Sequence, residues 1–177
     1  MKYLNNSFVA DIDSKSLSFF NEKQMNININ KDLINEIKNI AFTKKINLRI
    51  NLHSKSSDDF HNMIIFHWAD SYIRPHKHLY KGETCHIIEG EQQIIILDEN
   101  GQNIDNCNMS IENNIIYRIT KNTYHTAYIL SDYVIFHESK PGPYLGDEDS
   151  IFPEWAPIQE DNDSVKKFMN KVFAENI

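Results

Sequence analysis

Arg74-Pro75-His76-Lys77-His78-Leu79-Tyr80-Lys81-Gly82-Glu83, with Gly90 beyond it, has the form H-x-H-x4-E-x6-G. On an extended backbone side chains alternate between faces, so His76 and His78 point the same way. Glu83 follows a short bend at Lys81-Gly82, from which a second strand can return its carboxylate to the imidazoles. Two imidazoles and a carboxylate meeting at one point are what a divalent first-row metal ion requires. His125, in Ile119-Thr120-Lys121-Asn122-Thr123-Tyr124-His125, is available as a fourth ligand. An isolated H-x-H also fits an ordinary strand that carries two histidines. Glu83, Gly90 and His125 together move the reading to a metal site of His76, His78, Glu83 and His125.

The segments around this motif read as short strands. Leu48, Ile50 and Leu52 alternate with Arg49, Asn51 and His53. That polar face meets either water or a polar cavity, where Arg, Asn and His suit an anionic or hydroxylated ligand. Met63–Trp68 is an apolar run of strand length. Thr84–Ile88 continues as a strand, Glu89-Gly90-Glu91 reads as a turn, and Gln92–Leu97 follows. Asp98-Glu99-Asn100-Gly101 is a hairpin signal. Residues 104–109, 115–119, 124–130 and 133–138 supply further strands. Many short strands with closely spaced turns indicate an all-β barrel or sandwich. Arg74 shares the parity of His76 and His78, which places it on the metal side as an anion-binding group.

Residues 1–30 read as a polar lead. Residues 31–42 read as a helix capped by Asn30, with Leu33, Ile34, Ile37, Ile40 and Ala41 on one face. Asp163-Ser164 can cap a last helix whose apolar stripe is Val165, Phe168, Met169, Val172 and Phe173. The expected organisation is a lead and helix over residues 1–45, a barrel over 46–140 and an extension with its helix over 141–177, all in one domain. His61, His67, His86 and His137 read as structural or surface histidines, and Cys85 as a buried, unreactive thiol.

The cupins, small double-stranded β-helix barrels, are the group these residues resemble. His76, His78 and Glu83 fit the first cupin motif and His125 the second. Thr120 and Asn122 stand where Pro and Gly are usual, and Asn tolerates a left-handed turn. A second layer of likeness lies in Glu138-Ser139-Lys140-Pro141-Gly142-Pro143-Tyr144 and Glu154-Trp155-Ala156-Pro157. With Arg49-x-Asn51-x-His53 and Lys81-Gly82-Glu83-Thr84, these strings resemble the WbuC family of cupin-fold metalloproteins over roughly residues 32–160. That family is associated with O-antigen and other surface-polysaccharide gene clusters. The resemblance implies a metal-bound barrel; the two helix stripes suit packing outside it, and imidazole with carboxylate suits one divalent transition metal (Zn, Fe, Mn or Ni).

Composition bounds the partners. The 177 residues suffice for one domain with a real core. A net charge of −7 argues against nucleic acid or an anionic membrane surface. No apolar run approaches a bilayer span, no signal peptide is evident, and two cysteines suggest no disulfide framework, so a cytoplasmic location is expected. A small-molecule substrate is expected, plausibly a sugar or nucleotide-linked sugar, with the metal as Lewis acid in an isomerisation or epimerisation. The alternatives are oxygen chemistry at iron and a non-catalytic sugar- or carboxylate-binding cupin. His53, Tyr124 and Glu138 are the candidate bases; Arg49, Asn51, Arg74 and Tyr144 are the candidate substrate contacts. Apolar stripes on both helices suggest a homodimer.

Overall fold

The computed structural model describes residue 4, residues 8–11 and residues 16–174. Among the described residues, eight strands and two α-helices of more than one turn follow in chain order. The strands are β1 (Val9–Ala10), β2 (Leu17–Phe20), β3 (Leu48–Asn51), β4 (Phe60–Trp68), β5 (Glu83–Leu97), β6 (Asn103–Met109), β7 (Ile116–Ile119) and β8 (Tyr124–Pro141). The helices are α1 (Lys31–Lys44) and α2 (Asn162–Ala174). The sheet order is β1-β2-β3-β4-β8-β5-β6, with β7 also on β5. All pairings are antiparallel except β2 with β3, where Leu17 faces Leu48 and Phe20 faces Asn51. β1 and β2 fall in the stretch read as a polar lead. Leu17-Ser18-Phe19-Phe20 is too short for its alternation to show, and its partner β3 supplies the order.

Two long strands make the barrel. β5 and β8 pair from Thr84–Ser139 to Leu97–Tyr124, with irregularities near Ile87–Glu89 and Gly90–Gln92. Gly90 therefore lies inside a continuous strand that bends, not in a turn between two strands. Its φ is +84°, and a Cβ there would come within 2.3 Å of the Tyr133 carbonyl. Across the bend the inward parity changes: Cys85 and Ile87 before it and Ile94 and Ile96 after it share one core. A bulge shifts the two-residue period and so keeps apolar residues inside along both halves. β8 makes the matching change between Ile129 and Val134. There the Ser131 hydroxyl accepts from Glu91 N at 2.9 Å and donates to the Tyr133 carbonyl at 2.6 Å.

Three apolar clusters locate the layers. The inner one joins Met63, Ile65, Cys85, Ile87, Ile94, Ile96, Met109, Ile119, Ile129, Val134 and Phe136. The second packs α1 on the outside through Leu33, Ile34, Ile37, Ile40 and Ala41 against Leu48, Ile50, Ile64, Phe66 and Ile135. Burying such side chains contributes about 1.5–3 kcal/mol each, more than propensity differences of a few tenths per residue, so packing rather than propensity holds α1. Asn30 caps α1, its Oδ1 accepting from Leu33 N at 3.0 Å. The third cluster seats α2 through Phe168 and Val172 on Ile95, Leu97 and Tyr124. Its cap is Asp161, which accepts from Ser164 N at 3.1 Å, so the helix starts ahead of the expected Asp163-Ser164 cap. Both helices thus lie outside an all-β barrel. Among the described residues no helix is long and apolar enough to cross a membrane.

Candidate metal centre

His76 and His125 hold each other in register. His76 N donates to the His125 carbonyl at 3.1 Å and His125 N to the His76 carbonyl at 3.0 Å, an isolated antiparallel bridge. That bridge puts the two imidazoles side by side, with centroids 4.5 Å apart. His78 is anchored through its carbonyl, which accepts from Asn122 N at 2.7 Å. Asn122 takes the left-handed turn conformation expected of it, with φ +57°. Glu83 opens β5, and its carboxylate is turned inward beside Cys85.

Each imidazole is oriented by a backbone carbonyl at Nδ1. His76 uses Arg74 O and His125 uses Thr123 O, both at 2.9 Å and both two residues upstream. His78 uses the Asp149 carbonyl. With Nδ1 as the donor in each ring, the Nε2 lone pairs remain for the centre. A ligand atom from each of His76, His78 and His125 lies within 4.8 Å of the others. Nε2 of His78 is 3.2 Å from Glu83 Oε2, and Nε2 of His125 is 2.9 Å from Glu83 Oε1. Bonds of about 2.0–2.2 Å put neighbouring ligand atoms at right angles about 3 Å apart, so these spacings fit a first-row ion. His125 Nε2 is buried and has no hydrogen-bond partner, although a carboxylate oxygen is near. An acceptor facing an acceptor in a dry interior is costly unless a cation lies between them. The residues present fit a divalent metal.

The charges support the same arrangement. Burial pushes the His76 imidazole down to about 3, and the neighbouring His125 adds to this, so His76 stays neutral. Burial would raise the Glu83 carboxyl, but Lys140, His125 and His78 hold it well below the usual carboxylate range. Burial lowers His125, yet the Glu83 carboxylate outweighs it and its imidazole is raised. Burial, with Glu83 and Glu138 nearby, pushes the Cys85 thiol well up, leaving it protonated.

Beside the four residues lies a pair, Glu138, one of the expected bases, and Lys140. Glu138 and Lys140 follow one another on the inner face of β8, with Glu138 opposite Cys85 and Met63. Lys140 Nζ is 3.0 Å from Glu138 Oε1 and 3.5 Å from both Glu83 Oε2 and His78 Nε2. Burial lowers the Lys140 ammonium, but Glu138 and Glu83 more than offset this and its pKa is raised. Glu83, Cys85 and Glu138 also bring ligand atoms within 4.8 Å of one another. The period-two relation to Glu138 was the available signal for Lys140. Asp149 carried no signal, because it meets His78 chiefly through a backbone carbonyl, with its carboxylate 3.8 Å from the same Nδ1. Its carboxylate pairs with Lys81, whose Nζ also donates to the Pro143 carbonyl at 3.1 Å.

The other expected contacts are placed elsewhere. Arg74 does not face the centre: its guanidinium donates to the Ala156 carbonyl at 3.1–3.3 Å and lies over Phe152, 4.9 Å from the ring centroid. Residues 71–75 are not strand, so parity with His76 does not hold there. Arg49 and Asn51 do face inward from β3, opposite Ile65 and Met63, rather than into bulk water. Asn51, however, is occupied by Ser18 Oγ at 2.9 Å and the Phe19 carbonyl at 3.0 Å. Arg49 Nε is buried without a partner. His53 stacks on His61 at 4.1 Å and shares Nδ1 with the main chain of Asn62. It lines a separate cavity of about 420 Å³ with Asn21, Ser54 and Asp58. Tyr124 packs on Trp155 in the outer cluster beneath α2, across the strand from the side His125 uses. The Tyr144 side chain is exposed, and its backbone N donates to the Ser56 carbonyl at 2.8 Å. Of the proposed bases, only Glu138 adjoins the four histidine and glutamate side chains.

The fold and the cluster define a cupin barrel with a candidate metal centre. A family described as domain of unknown function (DUF6016) matches residues 29–109. No curated protein matches the chain at a significant level. Among solved structures, CapF with the inhibitor 3-isopropenyl-tropolone aligns at TM-score 0.54 with 12% identity, over 83% of this chain and 34% of that one. The capsular polysaccharide assembling protein CapF from Staphylococcus aureus, in another crystal form, gives TM-score 0.54, 13% identity and the same coverages. A further structure of that protein gives 0.52 and 15%, over 60% of this chain and 30% of that one. These are cupin-fold proteins, and at such identities the likeness is one of fold. The chain spans about a third of their length.

Proposed function

We propose that this chain is a metal-dependent cupin enzyme acting on a small polar, sugar-like substrate by isomerase- or epimerase-type chemistry. The observation that carries the reading is the set of three Nδ1-tethered imidazoles around a buried Glu83, whose carboxylate lies 2.9 Å from His125 Nε2 and 3.2 Å from His78 Nε2. When bound through His76, His78, Glu83 and His125, the metal, one of Zn, Fe, Mn or Ni, supplies Lewis-acid polarisation of a carbonyl. Glu138 is the group that takes a proton from the carbon next to that carbonyl and returns it. Its side chain is 14% exposed, so it reaches both the cluster and the solvent side. Placement in surface-polysaccharide assembly is supported by the WbuC-like strings and by the fold shared with a capsular polysaccharide assembling protein. A homodimer belongs to the same reading, although the helix stripes that suggested it are covered by the chain's own barrel.

The test is metal analysis of the purified protein, followed by solvent-deuterium exchange into nucleotide sugars. About one equivalent of metal and exchange that is lost in Glu138→Gln are expected. Absence of metal from protein refolded with Zn, Fe, Mn and Ni in turn overturns the reading.

A further inference from the structure

A lysine ammonium is an awkward neighbour for a metal. Lys140 Nζ stands 3.5 Å from Glu83 Oε2 and His78 Nε2, two atoms directed at the centre. The inner face of β8 before the pair is apolar, with Val134 and Phe136, and Lys140 answers the carboxylates of Glu138 and Glu83. Lys81 is also near, but its charge is cancelled by Asp149. The remaining charges do not cancel. Glu83 and Glu138 together neutralise a divalent ion, and the imidazoles are neutral ligands. Among the groups that touch the cluster, Lys140 therefore leaves one uncompensated positive charge, which a bound monoanion would remove.

The exposures show where such a ligand enters. Glu83 and His78 side chains are almost fully buried, whereas Lys140 is 15% exposed and Glu138 14%. The ammonium thus lies on a solvent-reaching side of the cluster, as does His76. Arg74, the arginine expected to hold an anion, is held by Ala156 and Phe152. Lys140 is a cation that reaches the ligand side chains themselves; Arg49 also faces inward, from β3, where it lies opposite Ile65.

We infer that the site takes a small monoanionic oxygen ligand of carboxylate type, held between the metal position and Lys140 Nζ. The inference rests on the metal-centre reading above and narrows its substrate class to molecules carrying such a group at the reacting end. Glu138 has the opposite effect, since its carboxylate competes with the ligand for the same ammonium at 3.0 Å. The two residues are predicted to act on anion affinity in opposite directions, which a merely structural role would not produce.

The experiment uses the full chain loaded with Co(II), titrated with acetate and, separately, azide, and read by the cobalt visible spectrum. Both anions should shift the spectrum of the unsubstituted protein. Lys140→Met should retain its cobalt and bind each anion about ten- to hundredfold more weakly, the loss expected for one charge-assisted hydrogen bond. Lys140→Arg should recover part of that loss, and Glu138→Gln should bind the anions more tightly than the unsubstituted protein. Should Lys140→Met fail to fold, the tightening in Glu138→Gln still decides. Cobalt-loaded protein whose anion affinity is the same in all the folded variants overturns this inference alone. Protein that takes up no cobalt overturns the metal-centre reading and this inference with it.

Discussion

The Oε1 atom of Glu83 and the Nε2 atom of His125 stand 2.9 Å apart, both side chains buried. Its other nitrogen already donates to the Thr123 carbonyl, so the neutral ring presents a lone pair to a carboxylate. Two such atoms are brought together by a cation: a proton in the metal-free protein, a metal in the loaded one. Metal and proton compete for one nitrogen.

Metal content follows directly. The unsubstituted protein should hold about one divalent ion per chain, and the double variant His76→Ala/His125→Ala should hold none after dialysis against a weak chelator. Elemental analysis by plasma emission decides it, and full retention in the double variant would remove these residues from the ligand set.

Acidification should release the metal and weaken the metal-free fold. Burial holds His76 at about 3, and His53 and His67 at about 4, against an ordinary imidazole value near 6.5. The unfolded chain therefore takes up protons first, and stability falls as pH drops from about 6.5 toward 3. Glu83, depressed in the folded state, adds to the loss as pH passes through its own low range. His125 is raised and acts the other way, its contribution being present at low pH and lost as pH rises. Three depressed histidines and Glu83 outweigh it, so the midpoint of urea unfolding should decrease steadily below about pH 6.5. A midpoint that stays level to pH 4 would contradict this.

The orientation of His78 should depend on the segment that follows β8. Asp149→Ala leaves the carbonyl in the chain but removes the carboxylate that ties this segment to Lys81 and lies 3.8 Å from His78 Nδ1. Groups that orient a ligand typically account for about 10–100-fold in metal affinity. A loss of that size is expected in chelator competition, and unchanged affinity would show that His78 is set without this tie.

Two glycines give a paired stability test. Gly90→Ala meets both a φ of +84° and the Tyr133 carbonyl, and should cost about 2–4 kcal/mol. Gly146→Ala also has a positive φ, +64°, but a Cβ there touches nothing within 4 Å. It should cost about 1–2 kcal/mol, the left-handed penalty alone. Equal losses in chemical denaturation would mean that close approach at the bend is not what requires Gly90.

What the sequence made legible was local. The four residues of the cluster stand in two short motifs, and the strands of the barrel carry their own alternation. Parity served where the chain is strand, as for Arg49 and Asn51, and misled at Arg74, where residues 71–75 are not. It predicted the inward face of β3 but not that Ser18 and Phe19, on a strand with no visible pattern, would occupy Asn51. Gly90 reads as a turn because a bend within one strand and a turn between two use the same residue. Lys140 was present in a quoted string without a role, since its place depends on β8 continuing past Glu138. The contact between His78 and Asp149 spans 71 residues and involves a carbonyl that any amino acid supplies.

That long contact fixes an order of events during synthesis. His76 and His125 are steered by carbonyls two residues upstream, so each is aimed as soon as its own short segment takes shape. His78 waits for a segment translated after the whole barrel, and only when Asp149 has docked is its imidazole locked. A nascent chain can therefore close its barrel before its ion-gripping end is finished, and tight capture comes last, after every strand has left the ribosome.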